Sequence, residues 1–63
     1  MKREAAREYA KEVYAACATV GFSSASVTEL KALIDDPDTD SHALAALAED
    51  VQRDTIEWLE TGR

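Results

Sequence analysis

The chain has one cysteine, one proline, two glycines, one phenylalanine and one tryptophan. A single cysteine excludes an internal disulfide framework and fits a reducing cytoplasm. One Cys and one His cannot close a tetrahedral zinc site within one chain. No apolar run approaches the roughly 18 to 20 residues of a membrane-spanning helix. The basic start Met1-Lys2-Arg3-Glu4 is not followed by the apolar core of about seven residues or more that a signal peptide needs. There is no internal repeat, no low-complexity tract and no interior linker, so residues 1–63 read as a single domain. With a Met at its start and no tag, the chain is expected to be a complete small reading frame.

Cations are also scarce, with seven Lys and Arg against thirteen Asp and Glu, a net charge of −6. The imbalance is uneven. Residues 1–20 hold Lys2, Arg3, Arg7 and Lys11 against Glu4, Glu8 and Glu12, a balance of +1, whereas residues 21–63 carry −7. Such a field repels nucleic acid and anionic lipid and attracts basic surfaces. Bulk is limited as well. A chain of this length buries only about 60% of its unfolded surface, and twelve of its apolar residues are Ala. The remainder suffices for one small core, not for a core that also lines a deep substrate pocket. A homodimer is an expected further source of stability.

What is present is helical periodicity. After the turn chemistry of Asp36-Pro37-Asp38-Thr39-Asp40-Ser41, about twenty residues run without Gly or Pro. In them Leu44, Leu47, Ala48, Val51, Thr55, Trp58 and Leu59 recur at steps of three and four. Opposite lie Glu49, Asp50, Arg53, Glu57 and Glu60, with Asp54 on the flank. A first helix is predicted over 3–20, with Ala6, Tyr9, Ala10, Val13, Cys17 and Val20 inward. Its outer face offers Glu4–Arg7 and Glu8–Lys11 pairs at i, i+3. Gly21 followed by Phe22 is a helix stop with an apolar residue that folds back on the last turn. A short extended segment around Val20 to Phe22 is the alternative. Ser26-Val27-Thr28-Glu29 has the form of a capping box. It opens a short second helix over 27–35 that Pro37 terminates, with Val27, Leu30, Leu33 and Ile34 inward. The third helix runs over 40–60, with Gly62 able to close it. The expected fold is therefore all-α: three helices, a short middle one and a long C-terminal one. They pack around Val13, Cys17, Leu30, Leu33, Leu44, Leu47, Val51, Trp58 and Leu59.

No motif for catalysis, cofactor or metal stands in the chain. Asp36, Asp38 and Asp40 match the first ligands of a calcium-binding loop, but its glycine position is Ser41 and its bidentate Glu position is Leu47. Cys17 falls on an apolar stripe and His42 beside a helix start, which reads as a core thiol and a surface imidazole rather than a catalytic pair. Tyr9, Tyr14 and Trp58 lack the basic groove of a base-stacking platform. The acids remain. Asp38 and Asp40 suit a helix N-terminus, whereas Asp35 and Asp36 at the end of helix two have no such local role and stand out as binding candidates. On helix three, acids four residues apart are spaced by about 6 Å, close to the separation of successive phosphates, and so match lysines and arginines that normally neutralise phosphate.

In its overall character the chain resembles the small acidic phage proteins that block nucleic-acid-binding machinery, the anti-CRISPR inhibitors among them. The likeness is carried by the short reading frame and by Asp35, Asp36, Asp38, Asp40, Glu49, Asp50, Asp54, Glu57 and Glu60. It implies a non-enzymatic cytoplasmic inhibitor that acts as a DNA mimic toward a basic protein complex, with a CRISPR effector as first expectation. No cofactor, no direct nucleic acid and no membrane is expected. The alternative is a small helical adaptor or assembly subunit docking through an apolar patch around Tyr14, Phe22 and Ile56.

Overall fold

A computed structural model describes residues 2–61. Among the described residues there are three helices: α1 over Arg3–Val20, α2 over Ala25–Asp35 and α3 over Ser41–Thr61. The expected all-α fold, with its short middle and long final helix, is the observed one. The expected stop at Gly62 lies outside the described residues.

The packing follows from one spacing used twice. The buried residues of α1 are Ala6, Ala10, Val13 and Cys17, and those of α3 are Leu44, Ala48, Val51 and Thr55. Both sets step by four, three and four, which keeps them in one narrow stripe. They are offset by 38 throughout, and the Cys17–Thr55 contact, 38 residues apart in sequence, fixes that register. The two long helices thus run parallel, with Ala10 level with Ala48 so that their axes can approach closely. Between them α2 runs back and contributes Val27, Leu30 and Ile34 at i, i+3, i+7. The molecule measures 35 × 18 × 16 Å, its long dimension close to the roughly 31 Å of a 21-residue helix.

The core differs from expectation at its edges. Val13, Cys17, Leu30, Leu44 and Val51 are buried as expected, and so are Ala6, Ala10, Val27, Ile34 and Ala48. Leu33 and Leu47 are only half-buried and pack against the cluster from its side. Trp58 and Leu59 are also half-buried, because α1 ends at Val20 and little chain remains beyond it to cover the last turns of α3. Trp58 finds a partner in Phe22, ring centroids 5.3 Å apart and tilted by 45°.

The first connection is built around Gly21. Its φ of +79° is the positive φ among the described residues. The Phe22 amide donates to Cys17 O at 2.9 Å and the Gly21 amide to Ala18 O at 3.3 Å, the paired bonds of a Schellman stop. No extended segment forms around Val20 to Phe22. The capping box at Ser26 is not used. Ser24 caps α2, its hydroxyl accepting from the Val27 amide at 3.2 Å, and the helix begins at Ala25. A cap at Ser24 adds residues 25 and 26 to the hydrogen-bonded helix, and neither is a helix breaker, so the earlier start prevails.

The second connection closes the opposite end. Asp36 to Thr39 form a turn with Pro37 at its second position, the Thr39 amide donating to Asp36 O at 3.3 Å. The Thr39 hydroxyl donates to Leu33 O at 2.9 Å. Arg7 reaches across from α1 and donates to Ile34 O and to Asp36 O, and Arg3 donates to Pro37 O. These guanidiniums occupy the carbonyl end of α2, where a helix presents unsatisfied acceptors and partial negative charge. The expected Glu4–Arg7 and Glu8–Lys11 pairs are not among the ion pairs of the described residues, which are Lys31–Asp35 and Arg53–Asp50. Arg7 prefers fixed carbonyls to a mobile surface carboxylate.

Candidate functional site

All nine acids singled out in the sequence are exposed, and the helices sort them into two groups. Asp35, Asp36, Asp38 and Asp40 surround the α2–α3 connection. Asp35 accepts from Lys31 at 2.6 Å, one helical turn away. This hydrogen bond, and then the charge of the carboxylate, hold the Lys31 ammonium above its ordinary pKa. Asp36 Oδ1 accepts from the Asp38 amide at 2.9 Å. Asp40 Oδ2 accepts from the Ala43 amide at 3.1 Å and caps α3. Asp35 and Asp36 therefore do have local roles, contrary to the expectation from sequence. The i, i+4 spacing of Lys31 and Asp35 was present in the sequence but not read as a pair, whereas the role of Asp36 depends on the turn geometry. This group also stands beside Arg3 and Arg7, which dilute its charge.

The second group is Glu49, Asp50, Asp54, Glu57 and Glu60 on α3. At about 100° per residue these cover an arc of about 140°, and they span about 16 Å along the axis. One cation lies within the arc, Arg53, and it is held by Asp50 at 2.7 Å. The carboxylates of Glu49, Asp54, Glu57 and Glu60 make no hydrogen bond or ion pair among the described residues. From Asp40 to Glu49 there is no acid, a gap of about 13 Å along the axis, so the two groups do not join into one row.

The described residues hold no group of three or more His, Cys, Asp or Glu side chains placed to bind a metal ion. Asp36 and Asp40 have turned their carboxylates to backbone amides. Cys17 is 1% exposed and lies level with Thr55. His42 is exposed near the start of α3, thirteen residues or about 20 Å below that level, so no thiol–imidazole pair forms. Thr55 donates its hydroxyl proton to Val51 O at 2.7 Å. The Cys17 thiol is consequently the donor in its 3.1 Å contact with Thr55 Oγ1. Among the described residues no helix is long and apolar enough to cross a membrane.

The structure adds a feature that sequence reasoning did not isolate. On the side of the bundle away from α2, a groove between α1 and α3 encloses about 160 Å³ and is lined by Tyr9, Glu12, Val13, Ala16, Gln52 and Thr55. Tyr9 donates its hydroxyl to Gln52 Oε1 across one end of it. Ile56, next to Thr55, is 49% exposed. The signal was available: Tyr9, Ala16 and Val20 share one flank of α1 at the spacing i, i+7, i+11. The apolar patch expected around Tyr14, Phe22 and Ile56 is not one surface. Tyr14 is on the α2 side of α1, and Phe22 is engaged with Trp58.

Compared with known protein families, characterised proteins and solved structures, the chain matches none.

Proposed function

We propose that this chain is a non-enzymatic acidic binding protein whose α3 face occupies a basic, nucleic-acid-binding surface of a protein complex, in the manner of a DNA mimic. The observation that carries the reading is the α3 arc. Four of its five carboxylates are fully available, and a rigid helix holds successive ones about 4.5 to 7.5 Å apart along its axis. A surface of arginines and lysines that neutralises phosphates meets in this face a similar line of fixed negative charge. The loop acids Asp35, Asp36, Asp38 and Asp40 extend the negative field at one end while serving their turns and caps. The partner class is an effector complex that captures DNA, with a CRISPR effector as first candidate, encountered in the cytoplasm.

The test is competition. Immobilised protein should retain such a complex at low salt, release it to added duplex DNA, and lose more than about tenfold in apparent affinity between about 50 and 200 mM salt. Asp54→Lys combined with Glu57→Lys should abolish retention. Equal binding by that variant would end the mimicry reading.

A second reading, a small helical adaptor, is favoured by a different observation, the apolar α1–α3 groove. In that case the acids serve to keep the chain dispersed, and binding persists at high salt.

A further inference from the structure

We infer that the α1–α3 groove is a docking site for one amphipathic helix of a partner protein, apolar along one face and flanked by lysine or arginine.

The shape argues for a helix. Two parallel helices leave a straight channel on the side that α2 does not cover. Its floor is Val13 and Thr55, 6% and 7% exposed, and its walls are Tyr9, Ala16 and Gln52. Beyond this lining, Val20 and Leu59, one turn past Ala16 and Thr55, are half-buried, and Ile56 beside Thr55 is exposed. The enclosed space of about 160 Å³ is comparable to the roughly 150 Å³ that accepts a single benzene ring. It is well below the roughly 300 Å³ or more of sites that engulf a small molecule. It therefore fits one anchoring side chain of leucine or phenylalanine size, with neighbours at i+3, i+4 and i+7 lying along the channel, which is how a helix engages a groove.

The charge argues for the flanks. Glu12 stands in the wall, and Glu8 precedes it by one turn. On the other rim Glu49 lies one turn before Gln52, and Glu60 one turn after Ile56. Among the described residues the cation on the groove flank of α1 is Lys2, two turns before Tyr9 and beyond the lined stretch. Lys11 is on the opposite side of α1 from Tyr9, and Arg53 is held by Asp50. The same charges disfavour a second copy of this chain. A two-fold pairing through the groove would set Glu12 and Glu49 of each copy against acids of the other, between molecules of charge −6. A helix with basic flanks meets carboxylates on both sides of its apolar anchor.

The inference shares Glu49 and Glu60 with the α3 arc but does not use Asp54 or Glu57, so the two readings are tested by different substitutions. The probe is a labelled synthetic peptide of about 18 residues with leucines on one face and lysines beside them, followed by anisotropy and by amide shifts of the intact chain. The controls are a scrambled peptide of the same composition and a peptide with glutamate in place of lysine. Binding of the leucine–lysine peptide is expected, with shifts centred on Val13, Ala16 and Thr55. Ala16→Gln with Ile56→Gln should weaken it by about tenfold or more, while Asp54→Asn with Glu57→Gln changes it by less than about threefold. Both changes fall on exposed positions, and thermal melts verify that each variant is folded. Equal binding by the scrambled or the glutamate peptide would overturn the inference. So would no binding of the leucine–lysine peptide, or a dimer in sedimentation that the groove variant dissociates.

Discussion

At the level of single residues, Gly21 and Thr55 show two different ways a side chain matters. A Cβ added at Gly21 would meet nothing within 4 Å, so steric conflict with neighbours plays no part. The positive φ alone should make Gly21→Ala cost about 1 kcal/mol, measurable by urea denaturation with an unchanged slope. This stop was readable in advance because Gly then an apolar residue is a local code. Thr55 was readable only as a member of the stripe. Its hydroxyl is satisfied by Val51 O and by the Cys17 thiol, partners that appear only once α1 and α3 are packed. Thr55→Val keeps the shape, Val51 O retains its own helical hydrogen bond, and the one group left without a partner is the Cys17 thiol, a weak donor. The change should therefore shift stability by less than about 1 kcal/mol. Cys17 should react with a thiol reagent only as fast as the fold opens, so its modification rate should follow urea concentration along the unfolding curve. The Lys31–Asp35 pair is exposed on both sides. Because the Lys31 pKa is raised in the folded state, whatever the pair adds is complete at neutral pH and is lost only as alkali carries the pH through that raised value.

Between elements, the decisive contacts are a layer of alanines and a pair of arginines. Ala10 and Ala48 are fully buried at one level of the parallel pair, which sets how near α1 and α3 can come. Ala48→Leu should overpack this layer and cost about 1 to 3 kcal/mol, in contrast to Ala46→Leu on the exposed side. Arg7 binds two carbonyls of the α2 end. Arg7→Ala should cost about 1 kcal/mol, and Arg7→Lys should recover only part of it, since an ammonium lacks the planar fork that spans both acceptors. Thermal melts of the two variants side by side decide the point. Helix number, type and approximate bounds were legible because apolar spacing and the Gly21 and Pro37 breaks are properties of the chain itself. The choice of Ser24 over Ser26 was not, since both serines precede plausible helix starts. The role of Arg7 was hidden for another reason: carbonyl acceptors are the same in every residue and leave no mark on a sequence. The parallel register was written in the repeated four-three-four spacing of residues 6–17 and 44–55, a match visible only when the two stripes are set side by side. For the site, the exposure of the nine acids and their division between the α2–α3 connection and α3 were legible from their positions, but the hydrogen bonds that engage Asp36 and Asp40 required the turn.

Taken whole, the molecule carries its charge unevenly and holds its core in a narrow rod. The α3 arc places five acids within about 16 Å, and among the described residues one cation, Arg53, lies within it. Self-repulsion of this kind is relieved by screening, so the melting temperature should rise as salt is raised from about 10 to 300 mM. A fall on adding salt would mean that attractive pairs dominate instead. Trp58, the single tryptophan of the chain, lies against Phe22 where the last turns of α3 meet the α1–α2 connection. That position makes it a built-in optical gauge of one seam. Its emission reports whether the tail of α3 is seated on the loop, while circular dichroism reports helix throughout. If both signals fade at one temperature, the rod melts as a unit. If tryptophan emission changes first, the tail unseats while the rest holds, and the α3 turns just beyond the groove open and close on their own clock.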